Sequence, residues 1–182
     1  LMQGNMPDTG VKVLLVRSSL FSSRTANPYV DKNGKELDDN AIAFASLSHA
    51  AVRVCAGRTD YPVPHVVHAN DWHAGLIAAL MKIEGVTGVG TALTIHNLAF
   101  QGNFPLDHAA DIGIPSDMIT AEGMEFWGKM SYLKAGIAWS DRVTTVSKTY
   151  AEEILGELGY GMQDILNRRK DVLSAIPNGV DL

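Results

Sequence analysis

Thr91-Ala92-Leu93-Thr94-Ile95-His96-Asn97-Leu98-Ala99-Phe100-Gln101-Gly102 is the stretch that decides the fold. Its first five residues are apolar or β-branched, which suits a buried strand. A polar pair follows, then a glycine. This order reads as a strand whose carboxyl end delivers His96 and Asn97 into a crevice. In open α/β sheets, ligands bind beyond the carboxyl ends of the strands.

Four further runs have the same character: residues 11–17, 63–69, 142–146 and 172–176, with 89–95 as the central one. Helical spacing appears between them at 40–55, 72–83, 124–139, 148–158 and 164–169. Asp71 is placed as the N-cap of the second helix and Ser147 as that of the fourth. Strands alternating with helices predict an α/β class with a mostly parallel sheet and right-handed crossovers. Two long loops, 18–39 and 101–120, interrupt the pattern. Loops of that length are uncommon unless they line a site.

Composition narrows the function. The chain has 182 residues, 46% hydrophobic and 19% charged, enough for one domain with a sizeable core. A net charge of −5 supplies no electrostatic footprint for nucleic acid or an anionic membrane surface. No apolar run approaches the ~18 residues of a transmembrane helix. Cys55 is the sole cysteine, so an intrachain disulfide is excluded and a cytoplasmic location fits. Residues 1–10 lack a signal-peptide pattern and read as a polar, mobile lead-in. The last residues, 176–182, stop within what reads as a turn, so a piece of a longer chain is expected.

Several chemical readings compete along the strand exits. His68-Ala69-Asn70-Asp71-Trp72-His73 could be a metal site, but ligands at this spacing would have to converge across a strand-to-helix turn. A helix cap with a core-facing His68 and a packed Trp72 explains the same residues. A third reading has Asp71 and His73 facing a polar ligand. His96 alone could be a hydrogen-bonded structural histidine. The strand ends together, however, present Asn70-Asp71, His96-Asn97, Ser147 and Asn178-Gly179. Hydroxyl, amide, carboxylate and imidazole groups in one place suit a sugar or other polyol. No G-x-G-x-x-G follows a strand, no phosphate-binding P-loop is present, and Ser147 is not in a nucleophile elbow. Arg168-Arg169-Lys170 reads as a solvated helix end. Met124-Glu125-Phe126-Trp127 reads as a packing face, the alternative being that Phe126 or Trp127 flanks a sugar ring.

Ordered blocks carry a family resemblance. His68–Gly75, Thr94–Gly102, Gly123–Gly128, Tyr132–Gly136, Val146–Ala151 and Pro177–Asp181, with Asn27-Pro28-Tyr29 upstream, resemble bacterial glycogen synthase and plant starch synthase in sequence and spacing. The resemblance implies a Rossmann-like, three-layer part of a GT-B N-terminal domain, spanning residues 11–182. It implies a retaining transfer of glucose from ADP-glucose to the non-reducing end of an α-1,4-glucan, with no metal and no cofactor. His96 would contact the transferred glucose. Tyr29, Asp71, Asn97, Gln101 and Asn178 would bind substrate. Asn70 stands where the bacterial enzymes often have His, and Phe100 where Tyr is usual.

Two parts of that family are not found here: the first strand with its Lys-Thr-Gly-Gly-Leu loop, and the second domain with its basic residues. The developing charge on a leaving diphosphate needs such groups. The expectation is therefore that the chain alone is inactive, and that an uncovered sheet edge promotes self-association. Two alternatives stay open: a non-catalytic carbohydrate-binding module, and a GT-B enzyme using another nucleotide sugar.

Overall fold

Backbone pairing, more than composition, sorts the predicted strands. The computed structural model describes residues 1–22, 24 and 27–179. Val180 and Asp181, which close the last family block, lie outside the described residues. The strands are β1 (Met2–Asn5), β2 (Lys12–Leu15), β3 (Val66–Asn70), β4 (Gly90–Ile95), β5 (Asn103–Pro105), β6 (Glu125–Phe126), β7 (Lys129–Ser131), β8 (Arg142–Thr145) and β9 (Leu173–Ala175). The α-helices are α1 (Ser19–Ser22), α2 (Asn40–Cys55), α3 (Ile77–Ile83), α4 (Tyr132–Trp139), α5 (Lys148–Glu153) and α6 (Gln163–Arg168).

Four of the five predicted strands form one sheet in the order β3-β4-β8-β9, and every pairing in it is parallel. All four carboxyl ends therefore lie along one edge. Leu93, Ile95 and Val143 are fully buried on its core side. There they join α2, α3 and α4 through Phe44, Leu76, Leu80, Leu133 and Ile137.

The fifth predicted strand, 11–17, does not join that sheet. It appears as β2 and pairs antiparallel with β1, Met2 opposite Leu15. Residues 1–10, expected as a mobile lead-in, thus contain a strand and its turn. Met6 N–H donates to Val11 O at 2.8 Å, and Gly10 N–H to Met6 O at 3.0 Å. Hairpin pairing is a backbone matter, so the polar letters Gln3-Gly4-Asn5 conceal it.

Residues 124–139 correct a second expectation. Only the latter half is helical. The first half is the hairpin β6–β7, which with β5 makes a three-stranded antiparallel sheet in the order β5-β7-β6. Its tip, Trp127-Gly128, has φ of 51° and 76°, which no right-handed helix accepts. The helix starts where a cap becomes available: Ser131 Oγ accepts from Lys134 N–H at 3.2 Å.

Tyr132 links α4 to α2. Its ring is fully buried and its hydroxyl donates to Ala41 O at 2.9 Å. Burial pushes the phenol far above its ordinary value, so it stays a donor at any working pH. Tyr132→Phe is expected to cost about 1 kcal/mol of stability, the worth of one net hydrogen bond, read as a lower urea midpoint with unchanged slope.

Candidate functional site

The site begins where β3 stops. Asp71 continues the pairing by one bond, its N–H donating to Thr94 O at 2.9 Å. Its own φ of 54° and ψ of −169° then turn the chain sharply. The expected N-cap role does not hold: no cap hydrogen bond is made by its side chain. Instead Asp71 Oδ1 accepts from His96 N–H at 2.8 Å. The carboxylate is drawn across to the next strand because the positive φ aims it away from the helix that follows.

His96 stands exposed at the end of β4. Its Nε2 is hydrogen-bonded to Asn70 Oδ1 at 2.9 Å. With Oδ1 accepting, Nε2 is the donor of this pair. Asn97 Oδ1 accepts from Ala99 N–H at 3.0 Å, which rounds the loop. Leu98 N–H donates to the hydroxyl of Tyr150 on α5 at 2.8 Å. Burial raises the Tyr150 phenol, keeping it protonated. Ser147 is the predicted N-cap of α5, accepting from Tyr150 N–H. Beneath the exits, the hydroxyls of Thr94 and Thr144 are hydrogen-bonded at 2.7 Å, and His68 Nε2 lies 2.6 Å from Thr94 Oγ1. His68 is exposed and not core-facing, because its position alternates with buried Ala69.

Beside these exits lies a cleft of about 630 Å³. Tyr29, Asp71, Asn97 and Gln101 line it, as do Trp72, His73, Asn103, Phe104 and Lys129. Four of the six expected site residues are thus brought together. His96 and Asn178 are not in the lining. His96 stands next to it, tied to Asp71, and Asn178 is exposed beyond β9.

One wall is aromatic. Trp72 stacks on His73 with ring centres 4.1 Å apart, and Tyr29 stacks on Phe44 at 5.8 Å while tilting over His73 at 5.4 Å. Tyr29 keeps 38% of its surface exposed, so part of the side chain reaches the cleft. Its backbone is clamped: Asn27 Oδ1 accepts its N–H, and Asn40 Nδ2 donates to its carbonyl. Arg24, nearly buried, secures the same turn by hydrogen bonds to Asp39, Asn40 and the Pro28 carbonyl. Neither Arg24 nor Asn40 was marked by the sequence reading. A polar residue opening the predicted helix at 40 was the available signal.

The opposite wall is the loop after Asn97. Gln101 is 9% exposed, and its amide is engaged by Tyr160 O and Asn103 Nδ2, both at 3.0 Å. Its carbonyl accepts from Ser131 Oγ and Leu133 N–H. Gln101 therefore braces the wall. Gly102 has φ +59°, and a Cβ there would meet Trp72 Cε3 at 2.5 Å, so only glycine lets the loop close on the indole.

Residues 2–168 match the family described as the starch synthase catalytic domain. The chain belongs to the starch synthase catalytic domain family. It is 50% identical over its whole length to a glycogen synthase of Ralstonia nicotianae, of which it covers 33%. It is 46% identical over 84% of its length to one of Bordetella petrii, covering 30% of that protein. The chain therefore spans about one third of the length of these curated relatives. A structure titled catalytic domain of Starch Synthase IV from Arabidopsis thaliana, bound to ADP and acarbose, superposes with a TM-score of 0.73 at 25% identity. It covers 85% of this chain and 32% of that one. The Rossmann-like α/β architecture expected of this starch synthase domain is thereby shown.

Two predictions follow from the geometry. Asp71→Ala releases the His96 amide, so its hydrogen exchange should quicken about tenfold, the equivalent of one hydrogen bond, with exchange elsewhere in β4 little changed. His73 is depressed below its ordinary 6.5 by burial, partly offset by Asp71, and its Nε2 is buried without a partner. The neutral ring is the folded form. Its stabilising contribution is complete above 6.5 and declines as pH falls through that value toward the lower folded one. Thermal melts from pH 8 to 5 should fall less steeply in His73→Phe than in the parent chain.

Proposed function

We propose that this chain forms the sugar-facing wall of an ADP-glucose-dependent α-1,4-glucan glucosyltransferase that retains configuration at the transferred glucose. The observation that carries the reading is the cleft itself. It gathers Tyr29, Asp71, Asn97 and Gln101 beside His96 in a chain of the starch synthase family. A part-exposed aromatic side chain beside amides and a carboxylate is the chemistry of sugar recognition.

Each residue has a role in this reading. Tyr29 offers its phenol face to a glucosyl ring. His96 hydrogen-bonds the transferred glucose from the end of β4. Asp71 holds the His96 backbone and so sets where the imidazole stands. Asn97 presents its amide group at the same rim, and Gln101 acts by holding the loop. Asn178 approaches the same glucose from beyond β9. No metal or cofactor enters the scheme.

Charge decides what the cleft cannot do alone. Among the described residues, two carboxylates, Glu36 and Asp71, line it against one lysine, Lys129. That balance suits neutral glucose and glucan but not the departing diphosphate, whose charge must be met by cations. The diphosphate is therefore held by groups beyond this chain, and the chain alone is inactive. A cytoplasmic location is part of the same proposal. No helix among the described residues is long and apolar enough to cross a membrane.

The exposed apolar side chains of the β1–β2 hairpin, Leu1, Met2, Leu14 and Leu15, support the expected self-association. Light scattering of the purified chain should show its mean mass rising with concentration; a constant monomer mass would refute this.

Glucose incorporation from ADP-glucose into glycogen is the functional test. The purified chain should give none. In the protein that carries this chain at full family length, His96→Ala should lower turnover about 10²-fold, within the range for losing one positioned group. Near-normal turnover would remove His96 from the reaction.

A further inference from the structure

Trp127 stands apart from everything the cleft uses. It occupies the first position of the two-residue turn that joins β6 to β7, where Phe126 pairs with Lys129. Both turn residues have positive φ, 51° and 76°. Such turns favour Asn-Gly. Gly128 fits, but a bulky aromatic in this region is an outlier. The indole is also 82% exposed. Its ring contact is edge-on with Phe126, 6.3 Å between centres. Neither the backbone conformation nor the exposure helps the fold, and strain of this kind concentrates at functional positions.

A groove of about 420 Å³ lies beside the indole. Glu122, Glu125, Asp164 and Arg168 border it, with Lys134 below. Lys134 is already engaged: its Nζ donates to Ala121 O at 2.7 Å and Glu125 O at 2.6 Å, which stiffens the base. Glu125 Oε1 accepts from Gly128 N–H at 2.8 Å, fixing that carboxylate under the turn. Arg168 stands 3.9 Å from Glu122. Three carboxylates repel an anionic ligand, and the two cations beside them weaken the case for a cationic one. A neutral polyol uses all of these groups, with a sugar ring laid on the indole face.

Position identifies the polyol. In the sheet order β5-β7-β6, Phe104 of β5 and Lys129 of β7 line the cleft, while Glu125 and Phe126 of β6 line the groove. Only the width of this small sheet separates them, about 10 Å from two inter-strand spacings. We propose that Trp127 and its groove form a second carbohydrate-binding site, which grips a neutral α-glucan chain where it leaves the cleft. The proposal rests on the reading of the cleft as a glucan site.

Affinity electrophoresis of the 182-residue chain in gels containing glycogen tests it. The chain should be retarded, Trp127→Ala should raise the apparent dissociation constant about tenfold, and Trp127→Phe should keep most of the retardation. Circular dichroism should be unchanged, because the indole is outside the core. Equal retardation of Trp127→Ala, or no retardation of the unsubstituted chain, would overturn the proposal. So would retention that follows immobilised polylysine in place of glycogen. A full-length protein that failed to transfer glucose would overturn the proposed function while leaving the Trp127-dependent retention in place.

Discussion

Asp71 makes two hydrogen bonds to one neighbouring strand, and the site depends on both. Its N–H extends the β3–β4 ladder to Thr94 O, and its carboxylate takes up the His96 N–H. A non-glycine residue with φ of 54° is uncommon, although Asp tolerates it better than most. The turn sends the chain into Trp72 and His73, which become the aromatic wall, while the carboxylate keeps β4 in register as it exits. One residue thus sets the distance between the ring wall and the imidazole.

The remaining parts converge on that frame. Arg24 ties Tyr29's turn down through three acceptors, and the phenol lies against Phe44 and His73. On the other side, the amino end of α4 grips the Gln101–Gly102 backbone: Tyr132 N–H donates to Gly102 O and Leu133 N–H to Gln101 O. The Tyr29 turn and the Gln101–Gly102 loop are therefore both held at their backbones by buried groups. This is how a cleft built largely from connecting segments can keep a fixed geometry.

Much of this was legible in the letters, and the failures have physical causes. The parallel sheet was visible because β-branched runs bounded by turn residues recur with helical spacing between them. Helix α2 was visible to the residue, Asn40 to Cys55, because its apolar spacing is unbroken. The polar exits of β3 and β4 were visible as a cluster. Three things were hidden. The hairpin at Met2–Leu15 was hidden because its pairing is carried by backbone bonds between residues of unremarkable composition. The β6–β7 hairpin was hidden because its turn uses Trp where Asn is usual, so apolar letters ran on as if helical. The true job of Asp71 was hidden because a carboxylate before a helix reads as a cap unless its φ is known. Gln101 was selected by resemblance, and its side chain proves to be a brace.

The central claim is that Asp71 positions His96 to meet a glucosyl ring over the Tyr29 wall. A crystal structure of the full-length protein with ADP and a maltooligosaccharide tests it most directly. The account predicts a glucosyl hydroxyl within hydrogen-bond distance of the His96 ring, a sugar face on Tyr29, and the Asp71 carboxylate still on His96 N–H. Sugar bound with His96 out of reach, or Asp71 swung from His96 onto the ligand, would contradict it.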